Sequence, residues 1–436
     1  MKRLLAYHPN DPAQAIYRIL LATVALLLGF GLVVQGPGPA IAGLWRIFVS
    51  PAALITDYIQ VGGLGGAFLN AGLAMLLAVL LTKASGARFG GLAAAVAYIV
   101  AGFALFGKTL PNMLPIILGS WLYARFRKEP FSNHVYTALF ATCLGPVVSH
   151  AAINAPILNT ALRLAVALML GLIIGFVVPA VAALMATVHK GMLIFNVGLT
   201  AGMVSTALVA ILKNFGWQFG AVSDSWTTGN DLLLGIALAV LFGLQILTGF
   251  VLNGYSFKGL GKLRKHSGQS PSDFTRLEGL PVTLMNMGIL GFMMTAYVLA
   301  VGGALNGPTI GGILTVCGFG AFCMHYYNVI WPILGIVLLS FVSVWNLNEP
   351  GILLAVLFVP CIAPIAGKHG PVWGIVSGMV HVSLVRQTAV NFGWLNLYNN
   401  GFAAGLTCIV LLPVINVVIK ELQQAKEQKR LANETK

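Results

Sequence analysis

GFALFGKTLPNMLPIILG, residues 102–119, aligns without a gap on GFGAFCMHYYNVIWPILG, residues 318–335. Seven of the 18 positions are identical, including Gly102/Gly318, Phe106/Phe322, Asn112/Asn328 and Gly119/Gly335. Two apolar segments of ordinary composition would share about one or two. FNVGLTAG from Phe195 then matches YNNGFAAG from Tyr398 at Asn196/Asn399, Gly198/Gly401, Ala201/Ala404 and Gly202/Gly405. The same offset of 203 (401 − 198) pairs Gly171 with Gly374 and Gly175 with Gly378. Weaker matches are CLGP at Cys143 with CIAP at Cys361, and GxxG at Gly62 with GxxG at Gly288, the last at an offset of 226 (288 − 62). Glycine-rich apolar helices resemble one another because close packing favours small residues. Here shared order, spacing and two polar Asn pairs argue instead for an internal repeat, the N-terminal copy carrying extra loop residues.

The composition says where such a repeat lives. Of 436 residues, 58% are hydrophobic and 8% charged, and mean hydropathy is +0.89. A soluble chain this long needs more polar surface to cover its core, so lipid solvates much of the outside. The net charge of +14 does not imply nucleic acid. Its lysines and arginines fall in short stretches between apolar runs, the pattern of cytoplasmic loops. The five cysteines (Cys143, Cys317, Cys323, Cys361, Cys408) form no CxxC pair and read as small buried hydrophobes.

A crossing helix needs about 20 largely apolar residues. Candidate runs lie at 17–36, 62–82, 88–107, 109–125, 135–152, 161–187, 191–213, 230–254, 279–304, 308–324, 325–346, 350–366, 369–391 and 399–420. The 39–60 stretch, with Arg46, Pro51 and Asp57, reads as interfacial or re-entrant. Basic groups at Lys2, Arg3 and Arg18, at Lys83 and Arg88, at Arg125, Arg127 and Lys128, in the loop Ser256–Gly279 and in the C-terminal tail all fall on one side of this arrangement. The fold expected is an all-α polytopic membrane protein of about 14 transmembrane or re-entrant helices in two inverted-topology repeats. Its expected parts are an N-terminal helix and interfacial segment (1–61), a first repeat (62–215), a linking helix with a basic loop (216–281), a second repeat (282–420) and a tail (421–436). The expected location is a bacterial inner membrane, with both termini cytoplasmic.

Polar groups in hydrocarbon are costly and need partners or a cavity. Gly107, Pro111 and Pro115 interrupt the first repeated window around Lys108 and Asn112, and His325 and Asn328 occupy the second. Interrupted helices free backbone groups that can hold a solute. Two half-sites, each with a basic group and an Asn, are therefore one reading. The other makes these turn residues at the membrane surface, with Lys108 solvated and Asn112 a helix cap. Asn196 and Asn399 beside their glycines suit either the solute or an interhelical hydrogen bond. Arg386 suits a carboxylate or phosphate, or snorkels to the interface. Asn70 and Asn286 read as packing residues. Acidic residues are scarce, and Asp57 and Glu349 look interfacial.

FGKTLPNMLPIILGSWLYARF (106–126) and the paired Asn-Gly helices resemble an uncharacterised family of bacterial polytopic membrane proteins, a domain of unknown function. The resemblance covers most of the chain and implies no substrate. In plan alone, the halves are similar to urea-transporter-like channels, whose motifs are absent.

The function expected is a secondary transporter for a small anionic or polar solute, by alternating access, with Lys108, Asn112, His325, Asn328, Asn196, Asn399 and Arg386 at the solute. The alternative is a channel of the same architecture for a small neutral or anionic solute. An intramembrane enzyme is a third reading, with His150 and His381 as its only seeds. No catalytic residue, metal or cofactor is expected. The expected partners are the solute, the bilayer, sodium or a proton as coupling ion, and a second copy of the chain, but no nucleic acid.

Overall fold

The computed structural model describes residues 1–220 and 226–434. Most of these residues are helical, and no strand forms among them. The helices in chain order are α1 (Ala13–Gln35), α2 (Pro37–Val49), α3 (Tyr58–Ala84), α4 (Gly91–Phe103), α5 (Leu110–Phe126), α6 (Val135–Asn154), α7 (Thr160–His189), α8 (Asn196–Lys213), α9 (Asp231–Leu252), α10 (Leu280–Ala300), α11 (Gly307–Phe319), α12 (Ile330–Ser340), α13 (Pro350–His369), α14 (Pro371–Thr388) and α15 (Asn399–Glu434). Among the described residues nine of these are long and apolar enough to cross a bilayer: α1, α3, α6, α7, α8, α9, α10, α13 and α15. They mark a membrane-embedded protein. The helices α4, α11 and α12 are apolar but shorter, and every described cysteine is buried.

Sequence signals explain the starts and breaks. Thr109 and Asn112 form a capping box at α5 with Pro111 in its first turn, and Asn306 and Thr309 do the same for α11 with Pro308. Inside α3, Gly63 takes a left-handed φ of 75° that a side chain would resist. Gln35 reaches into this kink and accepts from Gly65 N at 2.6 Å. The small-residue face Gly62–Gly66 thus packs within the chain, against α1 and α2.

The core is built at places where a methyl group has no room. A Cβ on Gly198 would lie 2.7 Å from Gly401 Cα, so α8 and α15 cross backbone to backbone near their N-termini. The helices α4 and α11 meet likewise, where a Cβ on Gly102 would lie 2.4 Å from Gly311 O. Within each half the pairing recurs. Gly175 of α7 lies on Ile116 O of α5, and Gly378 of α14 on Pro332 O of α12.

Two segments between helices are tied into the fold by backbone hydrogen bonds. Residues 50–57 form a strap whose Leu54 N donates to Trp394 O at 2.8 Å, and residues 266–273 form a second whose Ser270 N donates to Gly191 O at 2.9 Å. Asp57 stands at the start of α3. It is buried, and its carboxylate accepts from Ile59 N (2.9 Å), Gly307 N (3.1 Å) and Thr227 N (2.8 Å). Three N–H groups, two of them on buried residues, are thereby satisfied by one carboxylate, which is why an acid is retained there.

Candidate functional site

The interior is organised by two interruptions, residues 104–109 between α4 and α5 and residues 320–329 between α11 and α12. Each is held by asparagines in the same way. Asn70 Nδ2 donates to Ala104 O (2.6 Å) and Lys108 O (2.7 Å). Asn286 Nδ2 donates to Gly320 O (2.7 Å) and Met324 O (2.9 Å). Asn112 donates to Gly107 O (3.0 Å) and accepts from Thr109 N (2.9 Å). Asn328 donates to Cys323 O (2.9 Å) and accepts from His325 N (2.9 Å). Uncapped backbone groups in an apolar interior cost free energy, and these four side chains remove that cost.

The asparagines of the repeated windows therefore face their own turns. His325 does the same. Its Nδ1 accepts from Asn328 N at 3.3 Å, as Thr109 Oγ1 accepts from Asn112 N at 3.4 Å, and its Nε2 meets His266 O at 3.0 Å. This bonding assigns the ring proton to Nε2 and uses both nitrogens. The expectation of two facing half-sites, each with a basic group and an Asn, is corrected: His325 is a cap, and it shares no partner with Lys108.

Lys108 stands apart. It is fully buried rather than solvated at a surface turn. Its Nζ donates to Tyr398 Oη at 2.9 Å and to Leu139 O at 3.4 Å, and lies 4.8 Å from the centre of the Tyr398 ring and 5.8 Å from that of Phe103. No carboxylate among the described residues pairs with it. Its counterpart at the offset of 216 (324 − 108) is Met324, held by the same asparagine geometry.

The aromatic surroundings also come in two copies. Phe103 packs against Phe358 (5.2 Å) and Tyr398 (4.7 Å), and Phe319 against Phe140 (6.3 Å) and Phe195 (4.9 Å). Only the first carries a hydroxyl. Beside these rings lies a cavity of about 160 Å³, lined by Leu92 and Ile99 of α4, Thr137 and Phe140 of α6, Asn196 at the start of α8, and Tyr398. Tyr398 thus connects the cavity wall to the buried Lys108 amine.

Asn196 reaches this wall while bracing the turn before α8, with Nδ2 on Ala182 O (2.9 Å) and Oδ1 on His189 Nε2 (2.9 Å). Asn399 braces the matching turn, with Nδ2 on Val385 O (3.2 Å) and Oδ1 accepting from Thr388 Oγ1 (2.6 Å). These are the interhelical bonds that the sequence left open. Arg386 is not in the interior. It is exposed near the end of α14 with its guanidinium 6.0 Å from the Trp345 ring, because a charge that can reach the boundary escapes desolvation there.

Sequence reasoning passed over Asp273 and Tyr398. Asp273 accepts from Gly91 N (3.0 Å) and Thr275 N (3.0 Å), repeating what Asp57 does for Gly307 and Ile59. The signal was Asp57-Tyr58 against Asp273-Phe274 at the offset of 216 (273 − 57), which Asn70 and Asn286 share. The contacts follow that offset rather than the 226 of Gly62 and Gly288. No cluster of three or more metal-ligating side chains occurs among the described residues.

No curated protein and no solved structure matches the chain. Residues 37–214 and 252–417, most of its length, match the family described as a protein of unknown function, DUF1576, and the chain belongs to that family.

Proposed function

We propose that this protein is a secondary transporter for a small anionic or polar solute, working by alternating access between two inverted repeats. The observation that carries the reading is Lys108: a lysine amine sealed in the interior with no acidic partner among the described residues, beside an interrupted helix and a cavity between the halves. A basic group is costly to bury in this way and is kept for a function or for a partner that comes and goes.

The repeat reading is supported by the matched contacts. The first unit comprises α1 and α3 to α8, and the second α9 to α15. In each, one Asn ties the break to the opening helix, one Asp grips the short helix of the other unit, and one strap crosses to the other unit. Cys143 O accepts from Leu397 N at 3.1 Å, and Cys361 O from Ile194 N at 2.8 Å. In this arrangement α1, α3, α6 to α10 and α13 to α15 cross, whereas α4–α5 and α11–α12 enter from opposite sides and return. Gln269 contacts both Lys190 O (2.7 Å) and Lys368 Nζ (3.2 Å), which gathers the basic loop and two further loops on one face. By the positive-inside rule this face is cytoplasmic and holds both termini, in a bacterial inner membrane. The driving ion is sodium or a proton.

The test is uptake by proteoliposomes of a panel of small anions, amides and sugars, with and without sodium or proton gradients. Saturable, gradient-dependent uptake of one class that disappears in Lys108→Met supports the proposal. Uptake indifferent to any gradient with single-channel currents would replace the carrier with a channel. A panel that yields no flux at all sinks both.

A further inference from the structure

The cavity measures about 160 Å³. Leu92, Ile99, Phe140 and Phe195 give it an apolar wall, which favours an apolar body of the same size. Its polar side chains are Tyr136, Thr137, Asn196 and Tyr398, and of these Tyr398 is the one bonded to Lys108. A phenol has one proton to donate and lone pairs to accept with. Tyr398 Oη accepts from Lys108 Nζ, and no described residue accepts the Tyr398 proton. A cationic donor on the oxygen strengthens its own O–H as a donor. The residue is nearly fully buried, so this polarised hydroxyl faces little competition from water.

We infer that the cavity binds a small monocarboxylate with an apolar body, its carboxylate on the Tyr398 hydroxyl and the Lys108 ammonium behind it. This rests on the solute-site reading above and narrows it to one chemical class. A single ammonium sets the charge. One carboxylate neutralises it, whereas a second would be buried unpaired. The first turn of α8, from Phe195 to Gly198, forms part of the wall and adds the partial positive charge of a helix N-terminus. The other half cannot duplicate this site, because Met324 and Phe195 stand where Lys108 and Tyr398 do.

The experiment is calorimetric titration of the purified full chain in detergent with butyrate, butyramide, succinate and chloride, repeated on Tyr398→Phe and Lys108→Met. Butyrate is expected to bind, with butyramide, succinate and chloride at least roughly tenfold weaker. Tyr398→Phe keeps the ring and should weaken butyrate about tenfold to a hundredfold while leaving butyramide unchanged. That variant decides the matter even where Lys108→Met fails to fold. Butyramide or chloride binding as well as butyrate, an unaffected Tyr398→Phe, or no binding of the panel to the wild type overturns the inference. Counterflow in proteoliposomes separates the two claims. Butyrate that binds but never crosses overturns the transporter and leaves the site. A neutral amide that crosses while butyrate does not bind does the reverse.

Discussion

The two interruptions differ at one place that matters. Around residues 104–109 and 320–329 the asparagine brackets, the capping residues and the aromatic packing correspond position by position, yet the first holds Lys108 against Tyr398 and the second leaves Met324 and Phe195. Backbone satisfaction has to be solved in both copies, because every buried N–H and C=O needs a partner wherever a helix breaks. On the transporter reading proposed above, a basic group for the solute has to appear only once.

The strongest way to break this comparison is at the crossing. Gly198→Leu and Gly401→Leu each drive a side chain into the facing backbone, beyond the ~1–3 kcal/mol usual for overpacking. Both should give no monodisperse folded protein by size-exclusion chromatography. If one folds, the crossing is not shared equally. Next come Asn70→Ala and Asn286→Ala, which strip two carbonyl partners from each break. Each should lower unfolding free energy by about 2–3 kcal/mol, and by similar amounts. A clear inequality would show that the two breaks are not equivalent.

Lys108→Met makes the first break chemically like the second. Removing an unpaired buried charge should raise stability by about 1–2 kcal/mol while uptake is lost, and Met324→Lys should lower it. A destabilised Lys108→Met would mean that the ammonium serves the fold after all. The smallest effect lies outside the membrane-spanning segments. Glu129 accepts from His134 Nε2 at 2.7 Å, and from Arg127. The His134 bond first, then Arg127, holds its carboxyl below the usual glutamate range. A depressed folded value means stabilisation that is present above that range and lost as pH falls through it. The melting temperature of His134→Gln should sit slightly below wild type near neutral pH and converge with it at about pH 4 or lower.

Much of this was legible in the sequence. Glycines and asparagines recur because close helix contacts and broken helices admit few alternatives, and a gapless window around Asn112 and Asn328 exposed them. Burial of the cysteines and the bracing roles open to Asn196 and Asn399 followed from residue type. The second strap was not legible, whereas the first falls in the 39–60 stretch that reads as interfacial or re-entrant. Ser256–Gly279 is rich in charge and reads as solvated, and only tertiary hydrogen bonds draw residues 266–273 inward. Asp273 was hidden by pairing Gly62 with Gly288, which moved the register ten residues away from it. Tyr398 was hidden because Tyr against Phe looks like an exchange of similar rings. Arg386 was misplaced because depth along a helix is not written in its sequence.

The first strap has a consequence for how the chain is made. Leu54 donates to Trp394, and Asp57 grips Gly307. A nascent chain in the bilayer therefore carries an aspartate without all its partners until some 250 further residues (307 − 57) have emerged, and an unclosed strap until some 340 (394 − 54) have. At about 5–20 residues per second that interval is on the order of half a minute. During it the N-terminal half is inserted but unfinished, and its assembly is governed by the arrival of the C-terminal half. Truncations that end before Trp394 should be substrates for membrane quality control rather than smaller working proteins.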